Sequence, residues 1–289
     1  MSKSLSKTVV LIAGPTASGK SALAIELARA ENGVIINADS MQVYAELKLL
    51  TARPLAEEEA KAPHRLYGHI GGKQAYSVAM WQREAVAQID LALGDGKLPI
   101  LVGGTGLYFM SLLKGLSKVP DISPEIRKHW REFAGDHHAE LAKRDTVSAA
   151  KLNPADRQRL IRALEVVDST GHSLSYWQQV AEADAPLRDY EVRKLFKSVP
   201  RDELYARADA RFDQMLEQGA LEEVRNLPEM EAAAPLMKAI GVPELQAHLR
   251  GENSLDEARV LAKTATRQYI KRQLTWWRGQ MADWEEVSK

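Results

Sequence analysis

The residues of this 289-residue chain whose types and spacing best suit chemistry are GPTASGKS, at positions 14–21. They fit the pattern G-x-x-x-x-G-K-[ST], in which backbone N–H groups of a glycine-rich loop surround phosphate oxygens. The lysine of such a loop reaches the outer phosphates, and the hydroxyl that follows it is a ligand for Mg²⁺. The loop is typical of nucleotide-binding and ATP-binding proteins, so it predicts a polyphosphate ligand without defining which one. The residues expected to hold the phosphates are Gly14, Thr16, Ala17, Ser18, Gly19, Lys20 and Ser21, with Mg²⁺ at Ser21.

Two further polar groups follow short apolar runs. Asp39 ends the run at 34–38, where a carboxylate can hold Mg²⁺ through water or accept a proton from a nucleophile. Capping of a helix is the alternative role for Asp39. Thr105 lies in the sequence GGTGLY at 103–108, which either lets a substrate approach the backbone closely or forms a plain turn.

Basic residues form three groups whose roles the residues alone leave open. Arg207 and Arg211 are spaced i, i+4 on one predicted helix, so they either clamp a diphosphate or pair with nearby carboxylates. The stretch 258–282 has six basic and no acidic residues, and a second cluster of arginines lies at 157–162. Each of these clusters is either a solvated helix face or a surface for a polyanion such as RNA.

The elements that must position these groups follow an alternating pattern. Apolar runs at 9–13, 34–38 and 98–102 predict buried parallel strands, and the intervening segments have helical periodicity. This alternation predicts an α/β fold, a P-loop NTPase-like parallel-sheet core whose ligands bind beyond the carboxyl ends of the strands. Residues 119–189 lack a convincing strand and predict a helical insertion domain in a core formed by 1–118 and 190–289. Long C-terminal helices complete the predicted core.

Composition excludes several classes of protein. The 39 basic and 39 acidic residues give no net charge, so any nucleic-acid site must come from local clustering. Cysteine is absent, which excludes disulfides and thiolate metal sites and is consistent with a cytoplasmic location. We find no signal peptide and no apolar run long enough to span a bilayer, so we expect no membrane association.

Several strings along the chain together resemble a known family. They occur in order over nearly the whole length, and a generic P-loop kinase would not be expected to contain them. They resemble the bacterial tRNA dimethylallyltransferases, also called tRNA isopentenyltransferases. The strings are GPTASGKS at 14–21, ADSMQVY at 38–44, TARP at 51–54, LPILVGGTGLY at 98–108, QRLIRALEV at 158–166, MKAIG at 237–241 and ATRQYIKRQLTWWR at 265–278.

The resemblance implies transfer of a dimethylallyl group from dimethylallyl diphosphate to N6 of the adenosine at tRNA position 37, with diphosphate as the leaving group. Asp39 matches the family's proposed base, and Thr105 matches a position near the reacting groups. For the arginine that neutralises the departing diphosphate we choose Arg211, with Arg207 as second option. The residues that match RNA-contacting positions of the family are Asp39, Ser40, Met41, Gln42, Thr105, Arg127, Gln158, Arg159, Leu160, Ile161 and Arg162.

Three other functions compete with this interpretation. A small-molecule kinase would use the phosphate loop for ATP, but it leaves GGTGLY and QRLIR unexplained. A P-loop RNA-binding protein would not need Asp39 for its function. An enzyme that prenylates free adenine nucleotides would not need the two basic clusters. We therefore expect the anticodon stem-loop of tRNA and dimethylallyl diphosphate as substrates, Mg²⁺ as cofactor and a monomeric protein.

Overall fold

The computed structural model describes residues 7–182, 184–231 and 234–288. The chain divides into two compact units. The first comprises Met1–Phe109 with Asp189–Lys289, and the second comprises Met110–Arg188.

A six-stranded parallel sheet forms the centre of the first unit. Its strand order is β3-β2-β4-β1-β5-β6, so β1 lies inside the sheet and pairs with both β4 and β5. In β1 and β2 nearly every residue is buried, as expected for strands covered on both faces. The strands are β1 (Thr8–Ala13), β2 (Gly33–Asn37), β3 (His64–Arg65), β4 (Leu98–Gly103), β5 (Glu191–Lys197) and β6 (Glu285–Val287). The predicted α/β fold with a parallel sheet is confirmed.

Helices follow the strands of the first unit, and several begin at the caps that their sequences favour. Ser77 accepts a hydrogen bond from the N–H of Met80 at the start of α3. Ser254 and Glu257 form a capping box at the start of α13. The helices are α1 (Lys20–Ala30), α2 (Ala56–Glu59), α3 (Val78–Gly94), α10 (Arg201–Glu217), α11 (Ala220–Arg225), α12 (Val242–Leu249) and α13 (Leu255–Gln280), with a 3₁₀ helix at Pro235–Lys238.

The second unit is helical. Asp136, Asp145 and Asp156 each cap a helix by accepting a backbone N–H with their carboxylates. Trp130, Leu141 and Leu164 are fully buried members of its own apolar core. The helices are α5 (Pro124–Glu132), α6 (His137–Arg144), α7 (Thr146–Lys151), α8 (Arg157–Thr170) and α9 (Leu174–Glu182), and α4 (Gly106–Lys114) contains the division between the units.

In the described part of the chain, none of the helices has both the length and the apolar character needed to cross a membrane.

Candidate active site

The phosphate loop lies between β1 and α1, at the carboxyl edge of the sheet. Gly19, directly before α1, has a φ of 83°, a left-handed conformation that glycine adopts without strain. A Cβ atom at Gly14 would lie 2.7 Å from the Ser18 hydroxyl, so the loop closes too tightly for a side chain there. The loop therefore brings the first N–H groups of α1 and their partial positive charge to one place, as a phosphate site requires.

Lys20 lies at the start of α1, and its ammonium donates to the carbonyl oxygen of Pro15 over 3.3 Å. Burial lowers the pKa of Lys20 to about 8. The Asp39 carboxylate raises this pKa and the Arg211 guanidinium lowers it, which shows that both charges lie close to the ammonium. Three predicted site residues from separate elements therefore share one electrostatic environment.

Asp39 follows β2 and is held by its neighbours. Asn37 accepts the Asp39 N–H at 2.9 Å and donates to the Asp39 carbonyl at 2.9 Å. The Asp39 Oδ1 accepts the N–H of Met41 at 2.9 Å, an Asx turn, and no helix begins there. One carboxylate oxygen is thus used for the turn, while Oδ2 faces Gly104, 3.5 Å from where a Cβ atom would lie.

The negative charge of Asp39 affects the pKa values of three tyrosines. Burial, and next the Asp39 carboxylate, raises the pKa of Tyr67, Tyr108 and Tyr269. These phenols therefore stay protonated near neutral pH, and they lie within the electrostatic influence of the Asp39 carboxylate. The sequence alone does not assign these tyrosines to Asp39, because tyrosines at such positions are equally typical of an ordinary core.

Thr105 follows β4 and Asp39 follows β2, and the segments after these two strands lie side by side. Its hydroxyl accepts the N–H of Ser40 at 3.0 Å and donates to the Ser40 hydroxyl at 3.3 Å. A Cβ atom at Gly103 would lie 2.0 Å from the carbonyl oxygen of Ala38. Glycine is required there because the two segments touch, so the GGTGLY sequence serves a close approach of backbones.

Gln273 of α13 connects the phosphate loop with the GGTGLY segment. Its Oε1 accepts the N–H of Thr16 at 3.0 Å, and its Nε2 donates to the carbonyl of Gly104 at 3.1 Å. The side chain is 6% exposed. A Cβ atom at Gly104 would lie 2.5 Å from Nε2, so this glycine makes room for the amide. The sequence alone does not reveal this role of Gln273, since nothing local distinguishes it from the other polar residues of its helix.

Two cavities meet at Arg211 in the first unit. One, of about 320 Å³, is bordered by Thr16, Asp39 and Arg211 on its polar side and by Phe212 and Met215 on its apolar side. The other, of about 370 Å³, is bordered by Lys20, Ser21 and again Arg211. Arg211 therefore reaches both the phosphate loop and the space in front of Asp39. Burial lowers the pKa of Arg211, and the Asp39 carboxylate opposes that shift.

Arg207 does not border either of the two cavities that meet at Arg211. It pairs with Glu203, one of the alternatives that the spacing left open, and it borders a different cavity beyond β5 and β6. The structure thus brings Arg211, and not Arg207, to the phosphate loop. Arg207 is exposed and its guanidinium pairs with Glu203, one turn earlier on α10.

The basic stretch of α13 is partly neutralised by α10. Arg267 donates to Asp209 at 2.7 Å, and Lys263 lies 2.7 Å from Asp213. Arg272 instead borders the cavity in front of Asp39. The solvated-face interpretation therefore fits the first half of the stretch only.

Predicted RNA-contacting residues differ in how they are placed. Ser40 and Met41 border the cavity that holds Asp39, whereas Gln42 is turned inward and donates to the carbonyls of Thr51 and Ala52 at 2.8 and 2.9 Å. The internal hydrogen bonds of Gln42 give it a structural role in this conformation.

In the second unit, one predicted contact needs correction. Leu160 is 1% exposed and packs in the helical core, so its side chain is not available to an RNA. Ile161 belongs to the same core at 8% exposure but borders a surface depression of about 520 Å³ with Gln158 and Arg162. The exposed predicted residues are Arg127, Gln158, Arg159 and Arg162.

The donor set at Ser21 fits Mg²⁺. Within the described residues, groups of three or more His, Asp or Glu side chains that could hold a metal are absent, so no all-protein cage is present there. Mg²⁺ commonly binds through one or two protein oxygens together with substrate phosphates and water. The Ser21 hydroxyl, exposed beside Lys20 in the 370 Å³ cavity, is such an oxygen.

Comparison with known proteins identifies the family. A family profile described as IPP transferase matches residues 42–280, well over half of the chain. The chain belongs to the IPP transferase family. Curated relatives in this family include the tRNA dimethylallyltransferase of Azorhizobium caulinodans, which is 49% identical over 290 aligned positions covering 98% of this chain and 93% of the relative. The tRNA dimethylallyltransferase of Rhodopseudomonas palustris is 53% identical over 287 positions covering 96% and 90%.

Solved structures of IPP transferase family members have the same fold. The full-length tRNA isopentenylpyrophosphate transferase of Bacillus halodurans aligns with a TM-score of 0.70 at 34% identity, covering 98% of this chain and 90% of that one. A eukaryotic dimethylallyltransferase acting on tRNA aligns with a TM-score of 0.84 at 29% identity, covering 98% and 74%. The family resemblance found in the motifs is confirmed, and with it the enzyme class, a prenyltransferase.

Proposed function

We propose that this protein transfers the dimethylallyl group of dimethylallyl diphosphate to N6 of adenosine 37 in tRNA, giving N6-dimethylallyladenosine and diphosphate. The observation that carries the proposal is the convergence of Asp39, Lys20 and Arg211 on two cavities that meet at Arg211. One cavity offers cations for a diphosphate, and the other offers a carboxylate for the acceptor amine. Family membership supplies the substrate classes.

Asp39 is the proton acceptor in this scheme. An exocyclic adenine amine is a poor nucleophile, because its lone pair is delocalised into the ring. As that lone pair forms the new N–C bond, the carboxylate takes one N6 proton, which prevents charge from building up on nitrogen. The Asx turn to Met41 holds Oδ1, so Oδ2, which faces the GGTGLY segment, is the free oxygen for this step.

Lys20, Arg211 and the loop N–H groups stabilise the leaving group. The allylic C–O bond breaks with its electron pair going to the diphosphate, and the positive charges compensate the charge that develops on the bridging oxygen. Such preorganised donors typically contribute about 10²–10³ in rate each. Mg²⁺ held at Ser21 would supply further charge neutralisation to the diphosphate oxygens when bound.

The acceptor base must leave the anticodon-loop stack to reach Asp39, as enzymes that act on bases require. The 320 Å³ cavity with Ser40, Met41 and Thr51 in its wall is the space for the adenine and the prenyl group. Thr105, through its hydroxyl pair with Ser40, fixes that wall. We assign further contacts with the stem-loop to the exposed residues Arg127, Gln158, Arg159 and Arg162, and we place a monomeric enzyme in the cytoplasm.

A transfer assay tests the proposal. Labelled dimethylallyl diphosphate is incubated with the protein, Mg²⁺ and an anticodon stem-loop that has either adenosine or guanosine at position 37. We expect label on the adenosine RNA only. Label on neither RNA, with the protein folded and the RNA bound, would refute the transfer. Label on free adenine nucleotide in preference to RNA would instead identify a nucleotide prenyltransferase.

A further inference from the structure

A third cavity of the first unit has no role in the proposed reaction. It has a volume of about 1020 Å³ and lies where β5 and β6 end and α10 begins. Its described wall shares no residue with the two cavities that meet at Arg211. The residues that matter here are Lys197 at the end of β5, Arg201 at the start of α10 and Arg278 near the end of α13.

Charge in this cavity is predominantly positive. Its described residues include four cations and two carboxylates, and one cation, Arg207, pairs with one carboxylate, Glu203. Glu286 is the other carboxylate. Across the described residues, Lys197, Arg201 and Arg278 form no ion pair, which leaves the cavity with a surplus of positive charge and makes it suitable for an anion.

Lys197 is the strongest indication of a ligand. Most of the residue is buried, at 9% exposed, and it borders the cavity, where its ammonium has no hydrogen-bond or ion-pair partner among the described residues. An unpaired ammonium in the wall of a cavity with surplus positive charge attracts an anion. The 17-residue helix α10 starts at the same cavity with Pro200 as its N-cap, which provides no side-chain acceptor for the first N–H groups.

We propose that this cavity binds a backbone phosphate of the RNA strand that delivers the target adenine. β5 pairs with β1 directly before the phosphate loop, with Phe196 opposite Ala13, so the cavity opens on the same edge of the sheet as Asp39. Trp277 and Trp284 in the wall are buried, which favours a phosphate over a stacked base. The choice of RNA as the source of the phosphate rests on the proposed function.

Equilibrium binding of a fluorescent anticodon stem-loop at several salt concentrations tests the proposal. We expect Arg278→Gln and Arg201→Gln to weaken binding about 3- to 10-fold near 0.1 M salt, and to reduce the slope of log affinity against log salt by about 0.7–1. The KM for dimethylallyl diphosphate should not change in either variant. Lys197→Met should also weaken RNA binding and reduce the salt slope. If the Lys197→Met variant fails to fold, the two arginine variants still test the proposal.

Arg29→Gln is the control, because Arg29 is exposed in the last turn of α1, at the opposite edge of the sheet. Wild-type affinity and salt slope in both arginine variants would overturn the proposal. Loss of binding to inorganic diphosphate without any change in RNA affinity would assign the cavity to a free anion and also overturn it. A wild-type protein that binds RNA but transfers no label would refute the proposed function alone. The RNA affinities of the variants and wild type can still be compared in that case.

Discussion

Replacing Gln273 by leucine tests whether one side chain sets the distance between the two loops of the active site. The variant removes the acceptor for the Thr16 N–H, which is partly buried, and the donor to the Gly104 carbonyl, which is buried. An unsatisfied buried backbone group costs about 1–3 kcal/mol, so we expect a loss of about 2–4 kcal/mol in unfolding free energy after partial solvation. With an unfolding entropy of about 2.1 cal/mol/K per residue, the melting temperature should fall by about 3–7 °C.

The effect on catalysis should exceed the effect on folding. Thr16 belongs to the phosphate loop and Gly104 precedes Thr105, so relaxed loops misplace the donor relative to Asp39. Misplacement by about 1 Å can cost about 100-fold in rate. We expect kcat to fall and the KM for dimethylallyl diphosphate to rise at a temperature where circular dichroism shows the variant to be folded.

Gln268→Leu is the matched control, because Gln268 lies exposed on the same helix. It should leave stability and both kinetic parameters near wild type. If Gln273→Leu is destabilised but retains wild-type kcat and KM while folded, the amide is a structural link only. If neither stability nor kinetics changes, the reasoning about the bridge is wrong.

Three further predictions follow from the same geometry. Because burial lowers the pKa of Lys20 to about 8, the free enzyme loses this positive charge as the pH rises, and kcat/KM for dimethylallyl diphosphate should fall about tenfold per pH unit above 8. Lys20→Arg should abolish that fall up to pH 9, and a wild-type profile that stays flat to pH 9 would contradict the assignment. Gly104→Ala places a methyl group 2.5 Å from the Gln273 amide, so it should reproduce the kinetic defect of Gln273→Leu, and wild-type kinetics would refute the close approach. Leu160→Ala should cost about 2–5 kcal/mol in unfolding free energy as a core truncation, and a drop in RNA affinity at full stability would restore Leu160 as a contact.

Local sequence was sufficient for the loops but not for what holds them together. The phosphate loop and Asp39 follow apolar strands, and parallel strands end at one edge of a sheet, so their proximity was predictable. Gln273 acts on Thr16 across 257 positions of sequence, and no local pattern encodes such a contact. The same limitation applies to the tyrosines around Asp39.

The other differences between prediction and structure concern two short polar strands and motifs that contain both exposed and buried residues. β3 and β6 have two and three residues, largely charged, and no apolar run predicts either strand. The family string QRLIR contains both exposed and buried positions. Only the folded structure shows that Leu160 is buried while Gln158 and Arg159 are exposed. The i, i+4 spacing does not tell which of Arg207 and Arg211 reaches the phosphate loop. The ion pair of Arg207 with Glu203 depends on side-chain geometry, which only the structure gives.

Single-turnover transfer by Asp39→Asn tests the central claim most directly. Asparagine keeps the acceptor for the Met41 N–H, so the Asx turn survives, but it cannot take the N6 proton. We predict that the transfer rate falls about 10²–10⁴-fold while the affinities for the stem-loop and for dimethylallyl diphosphate change less than about threefold. A transfer rate within about threefold of wild type, with the label still on N6, would contradict the role of Asp39 as the base.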